Sequence, residues 1–176
     1  QLCLNPPLQL CLNPPLQLCL NPPLQLTYYF FIMTSLYTEI EINAPKSQVW
    51  QVLLDKQQWK YWNTFLFDRE PEQPFEKGQA VSLSLRRLPK DEETEFEPLI
   101  TLLQPESCLR WVSSIPAFRN EYVFELQEIG LGRTKYVHIS RFSGMLTRVF
   151  VPFIRQDEHR GMQRMARELK RYVEHL

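Results

Sequence analysis

The stretch RNEYVFELQEIGLGRTKYVHISRF, Arg119 to Phe142, constrains this chain more than any other. Its first arm places Asn120, Tyr122, Phe124 and Leu126 on one face, and its second places Tyr136, His138, Ser140 and Phe142 on one face. Side chains of a strand point alternately to opposite faces, so each arm reads as a strand with one side turned to a core. On the second arm Val137 and Ile139 compete for that side. Gly130-Leu131-Gly132 between the arms is a hairpin signal. A hairpin with one apolar face needs a cover. The closing segment, about Leu146–His175, has the stripe for it: Met162, Met165, Ala166, Leu169, Val173 and Leu176 recur at helical steps, with Arg, Lys and Glu opposite. Pro152 marks the start of that helix or a kink in it.

Upstream, Leu36–Ile42 alternates, with Leu36, Thr38, Ile40 and Ile42 together, and reads as a half-buried strand. Asn43-Ala44-Pro45 ends it and starts a helix carrying Val49, Trp50, Val52, Leu53 and Leu54. A second short helical stretch holds Trp59, Tyr61 and Trp62, and a proline-broken section runs from Asp68 to Gln79. Gln79–Leu88 alternates as a strand with Val81, Leu83 and Leu85 on one side, and strands around Phe96–Leu103 and Cys108–Ile115 follow. The fold class is therefore α+β: a curved antiparallel sheet around a long C-terminal helix, with two short helices after the first strand. A sheet wrapped around a helix tends to leave an apolar pocket with a few placed polar groups.

Residues 1–32 are of another kind. Gln1–Leu24 is the unit Gln-Leu-Cys-Leu-Asn-Pro-Pro-Leu three times over, holding 6 of the 14 prolines and 3 of the 4 cysteines. Each Pro-Pro pair removes two backbone donors, so neither a helix nor a central strand runs through the unit. All 20 basic and 20 acidic residues lie at or after Glu39. The division expected is a repeat leader at 1–32 and a domain at 33–176. The leader is either upstream DNA read in frame, with the start at Met33, or a real, disordered segment. The single domain cysteine, Cys108, fits a reducing compartment and a cytoplasmic protein. Balanced charge gives no reason to expect nucleic acid.

The stretch IEINAPKSQVWQVLLDKQQWKYWN resembles the opening of the SRPBCC superfamily, the START, polyketide cyclase/dehydratase and birch-pollen-allergen-like proteins. The features shared are Ala44-Pro45, Val49-Trp50 and Trp62-Asn63. EPLITLLQPESCLRW, VFELQEIGLGRTKYVHISRFSG and GMQRMARELKRYVE are similar to the same branch, so the likeness spans about residues 36–175. It implies the helix-grip fold and a cavity, and one fold carries many functions. Relatives often have a histidine where Tyr122 stands and an acid where Ser140 stands, which weighs against carrying over a catalytic mechanism.

Candidate ligand-binding residues are Trp111, Tyr122, Phe124, Tyr136, His138, Phe142, Met162 and Met165. His138, the one histidine in the sheet, is a weak candidate for acid or base work. No catalytic residue is assigned, no metal site is expected from three scattered histidines, and no cofactor is expected. The expected partner is a small hydrophobic molecule: a lipid, isoprenoid, quinone or polyketide-like aromatic. It would enter near the helix ends and the loops around Pro74–Gly78 and Ser113–Phe118. Two rival readings stay open, a cyclase/dehydratase enzyme and a membrane-associated chaperone. The latter would use the basic run Arg160, Arg164, Arg167, Lys170 and Arg171, expected as a solvated helix face. Oligomeric state stays open.

Overall fold

The computed structural model describes residues 34–176; the repeat leader and Met33 lie outside them. Five strands form the main antiparallel sheet: β1 (Thr34–Ile42), β5 (Leu99–Gln104), β6 (Cys108–Ile115), β7 (Phe118–Gly130) and β8 (Arg133–Ser143), in the order β1-β8-β7-β6-β5. The register joins the inward rows of neighbouring strands. Phe124 faces His138, Tyr122 faces Ser140, Leu126 faces Tyr136, and Trp111 faces Tyr122. Both hairpin arms turn the expected rows inward, and Val137 is buried too, on the opposite face. There the aliphatic stems of paired Arg, Lys and Glu shield it. Those pairs are Arg141–Glu121 at 3.0 Å, Arg110–Glu121 at 3.8 Å and Lys135–Glu39 at 2.5 Å.

Two helices follow β1. α1 (Lys46–Leu54) has Pro45 as its N-terminal cap, the carbonyl of which accepts from the Val49 N–H at 3.2 Å. Its missing N–H would have had no helical partner there. A 3₁₀ turn, Lys56–Gln58, leads into α2 (Trp59–Trp62). The Lys56 ammonium is buried against Asp68 at 2.5 Å and sits 4.9 Å above the Phe75 ring, which pins this turn to the next strand.

Between the helices and β5 the sequence reading is corrected. β2 (Leu66–Asp68), β3 (Leu83–Leu85) and β4 (Thr94–Phe96) form a separate three-stranded sheet. The strand expected over Gln79–Leu88 shrinks to three residues, and the one expected over Phe96–Leu103 splits into β4 and β5 at Glu97-Pro98. Proline donates nothing to a ladder, so pairing lapses there. β2 was not expected at all.

α3 (Thr147–Val173) runs past the edge strand β1 and contains Pro152 in its second turn. Its side chains satisfy backbone groups of β1 and the residue after it. His159 Nε2 meets the Tyr37 carbonyl at 3.1 Å, Lys170 Nζ donates to the Glu41 carbonyl at 2.7 Å, and the Asn43 N–H donates to Glu174 at 2.7 Å. An edge covered in this way does not offer itself to another chain. Among the described residues no helix is long and apolar enough to cross a membrane.

Candidate functional site

The inward wall of the sheet is aromatic. Phe124 and His138 stack closest, with ring centroids 4.3 Å apart, and Trp111 lies 4.7 Å from Phe124. Tyr122 is 5.5 Å and Tyr136 6.3 Å from the His138 ring. Phe65, at the start of the small sheet, lies 6.3 Å from the same imidazole. Gly161 of α3 makes room for it: a Cβ there would fall 2.4 Å from Phe65 Cδ2, so only glycine lets the helix come this close. Met162 and Met165 belong to the same buried core. Phe142 sits further along β8, 6.0 Å from Phe118, and is not part of the ring cluster around His138.

All eight candidate residues are thus buried, none exposed by more than 1%. Side chains with no accessible surface leave no water-sized gap beside them. The open cavity expected from the sequence is therefore corrected: these side chains pack on one another. Phe75 completes the packing, stacked on Trp111 at 5.8 Å, so the Pro74–Gly78 loop plugs the place where an opening was expected. Clefts lie at the surface instead. One of about 400 Å³ runs between the start of β1 and α3, lined by Leu36, Tyr37, Pro152, Arg155 and His159.

Two polar groupings are embedded in this interior. In the first, Glu158 of α3 accepts from the Tyr122 hydroxyl on one oxygen and from Arg87 Nε at 2.8 Å on the other. Burial holds the Glu158 carboxyl above the usual carboxylate range, with Arg87 and Tyr122 pulling it back. Burial, followed by the negative charge of Glu158, raises the Tyr122 hydroxyl well above its ordinary value. Arg87 also reaches solvent, so the grouping connects the core with the β3–β4 loop. That loop is tied to α3 a second time by Arg164, which donates to the carbonyls of Arg86 at 2.7 Å and Arg87 at 2.9 Å.

In the second grouping nothing is paired. Trp111 Nε1, Tyr136 Oη and both ring nitrogens of His138 are buried without a hydrogen-bond partner among the described residues. Burial alone lowers the His138 pKa to about 3, so the ring is neutral at physiological pH, with one N–H donor and one lone pair. A neutral imidazole at that pH carries no imidazolium proton to give as a general acid.

Glu158 and Arg87 were missed in the sequence. Glu158 carried a signal: it lies four residues before Met162, in line with the buried stripe Met162, Met165 and Leu169. A carboxylate at such a position is buried and needs partners. The basic run on α3 is not one solvated face. Arg164 is spent on backbone carbonyls and Lys170 on β1 and Glu174, while Arg160, Arg167 and Arg171 are exposed.

Comparison with known proteins fits this architecture. Residues 33–174 match the family model described as polyketide cyclase / dehydrase and lipid transport. A protein of Chromobacterium violaceum superposes with a TM-score of 0.63 at 15% identity, over 80% of this chain and 98% of that one. A point mutant of norcoclaurine synthase from Thalictrum flavum, in complex with a transition-state analogue, gives 0.61 at 12%, over 81% and 95%. A START superfamily protein from Mycobacterium smegmatis gives 0.61 at 13%, over 80% and 97%. At such identities these structures establish the helix-grip fold and nothing finer. No curated protein sequence matches the chain significantly. The match to the family model covers most of the chain, and the chain belongs to the polyketide cyclase / dehydrase and lipid transport family.

Proposed function

We propose that the chain binds a small, uncharged hydrophobic molecule between the sheet and α3, holding its polar group with Trp111, Tyr136 and His138. The observation that carries this reading is the set of four unpartnered polar atoms in an aromatic wall. A buried donor or acceptor without a partner costs about 1–3 kcal/mol. A ligand carbonyl or hydroxyl would offset that cost, and a neutral His138 suits either one. Those four atoms belong to uncharged side chains, so a charged head group gains no ion pair from them. Family membership supports the apolar character of the ligand.

The interior is packed, so binding requires α3 and the β3–β4 loop to swing outward. Pro152 lacks an amide hydrogen and Gly161 lacks a side chain, which makes α3 the element best able to yield. Met162 and Met165 can repack around varied shapes. The cost of opening lowers the apparent affinity by the fraction of open molecules. Native mass spectrometry of the full chain, purified gently and offered a quinone and an isoprenoid alcohol, tests this. A stoichiometric adduct that weakens in Tyr136→Phe is expected. An unliganded mass under all conditions contradicts it.

A second reading, an enzyme of the cyclase/dehydrase kind, is favoured by Glu158. Its raised pKa and its contact with Tyr122 suit a carboxylate that takes a proton from carbon beside a carbonyl and returns it to oxygen. Glu158→Gln would abolish turnover of a polyketone while sparing its binding. Equal turnover in the variant would exclude this role.

A further inference from the structure

One end of the molecule is apolar, exposed and basic. The β6–β7 turn abuts the junction between β8 and α3: the Leu146 N–H donates to the Ala117 carbonyl at 3.0 Å, and a Cβ on Gly144 would lie 2.4 Å from that same oxygen. Phe118 of the turn stacks edge-on with Phe150 of the helix at 5.6 Å. Around this contact Phe153 is 81% exposed, Met145 72%, Ile115 59%, Val149 53% and Phe150 42%. Val149, Phe150 and Phe153 share one stripe of α3, distinct from the buried stripe that faces the sheet. Exposed side chains of this size gathered in one place mark an interaction surface.

The charges beside them have one sign. Arg119, Arg148 and Arg155 are exposed here, and residues 113–120 and 142–156, which build this end, contain no Asp or Glu. Large apolar side chains ringed by arginine alone are the features with which a surface helix enters the headgroup layer of an anionic bilayer. A protein partner would have to present a matching apolar face of acidic rim, whereas an anionic lipid surface supplies both properties at once. We propose that this end docks on anionic membrane surfaces, with Phe150, Phe153 and Met145 entering the interface and Arg119, Arg148 and Arg155 pairing with lipid phosphates and carboxylates. Docking draws on the N-terminal half of α3, the helix whose C-terminal half covers the interior. The inference does not depend on which ligand, if any, is held there.

The test is flotation of the full chain with vesicles of phosphatidylcholine alone and of phosphatidylcholine with 30 mol% phosphatidylserine. Binding to the anionic vesicles only, weakened by salt, is expected. Arg148→Ala and Arg155→Ala should each weaken it about fivefold, and Phe150→Ser with Phe153→Ser about tenfold or more. Arg167→Ala with Arg171→Ala, on the far half of the helix, should leave it unchanged. Circular dichroism of each variant keeps misfolding separate from lost docking. The proposal is overturned if neither vesicle binds, if the Phe150→Ser/Phe153→Ser protein binds as well as the parent, or if Arg167→Ala/Arg171→Ala has the larger effect. It is equally overturned if sedimentation shows a dimer in solution that the phenylalanine substitutions dissociate.

Discussion

The two faces of the β7–β8 hairpin handle polar groups in opposite ways. On the outer face, Glu121 joins Arg110 and Arg141, and Lys135 joins Glu39, all in partial contact with water. On the inner face, Tyr136 and His138 are fully buried and have no partner. A chain selected only to fold would put phenylalanine or leucine at these inner positions, because a buried orphan polar atom destabilises. The outer face therefore reflects solubility and pairing, and the inner face reflects a demand other than stability. Glu158 with Tyr122 and Arg87 is one exception inside, buried and fully partnered, and Ser140 with Asn120 and Thr134 with the Ala44 carbonyl are others.

That contrast can be broken at several points. The largest effect is expected from Glu158→Ala, which leaves Arg87 and Tyr122 facing a hole. Chemical denaturation should report a loss of about 3–5 kcal/mol, and a loss under about 1 kcal/mol would mean that Glu158 behaves as a surface charge. Next comes Gly161→Ala, where the added methyl meets the Phe65 ring and either the ring or α3 must shift. A loss of about 1–3 kcal/mol is expected by the same method, and no change would show that the helix does not lie so close in solution.

The third effect is a pH dependence. Unfolded histidine binds its proton near pH 6.5, whereas folded His138 refuses it down to about 3. The folded pKa is the lower one, so stability is complete above 6.5 and falls as pH drops from 6.5 towards 3. The slope from this one group approaches about 1.4 kcal/mol per pH unit. Denaturation midpoints of His138→Phe should be flatter over that window than those of the parent. Parallel curves would place His138 in contact with water. The smallest effect belongs to the outer face. Glu121→Ala should cost less than about 1 kcal/mol, since Arg110 and Arg141 remain partly solvated, and a larger loss would erase the contrast between the faces.

Much of this was legible in the sequence where a repeat of two or of three to four residues ran long enough. β1, β6, β7, β8 and α3 follow from alternation and from the methionine and leucine stripe, within a residue or two of their observed ends at most termini. The inward rows of Tyr122, Phe124, Tyr136 and His138 follow from the same parity. The three-stranded sheet was not legible. Its strands have three residues each, too short for a period to show. Pro98 interrupts what reads as one strand, and Phe75 lies in a loop that nothing local marks as core. The candidate site was half legible. Ring positions came from periodicity, but whether rings enclose space or fill it depends on how far α3 approaches, and that is set by the pairing of Gly161 with Phe65 across the fold. Glu158 was hidden by the habit of assigning charge to the wet face. Its spacing from Met162 was the clue.

The most direct test of the central claim is Tyr136→Phe, which removes one unpartnered hydroxyl and nothing else. Urea denaturation and native mass spectrometry with a bound quinone or isoprenoid alcohol should be run on the same preparation. The account predicts that the variant gains about 1 kcal/mol of stability without ligand and binds the ligand at least several-fold more weakly. A variant that is less stable and binds equally well would mean that Tyr136 is ordinary core with a partner of its own, and that the inner face is not a recognition surface.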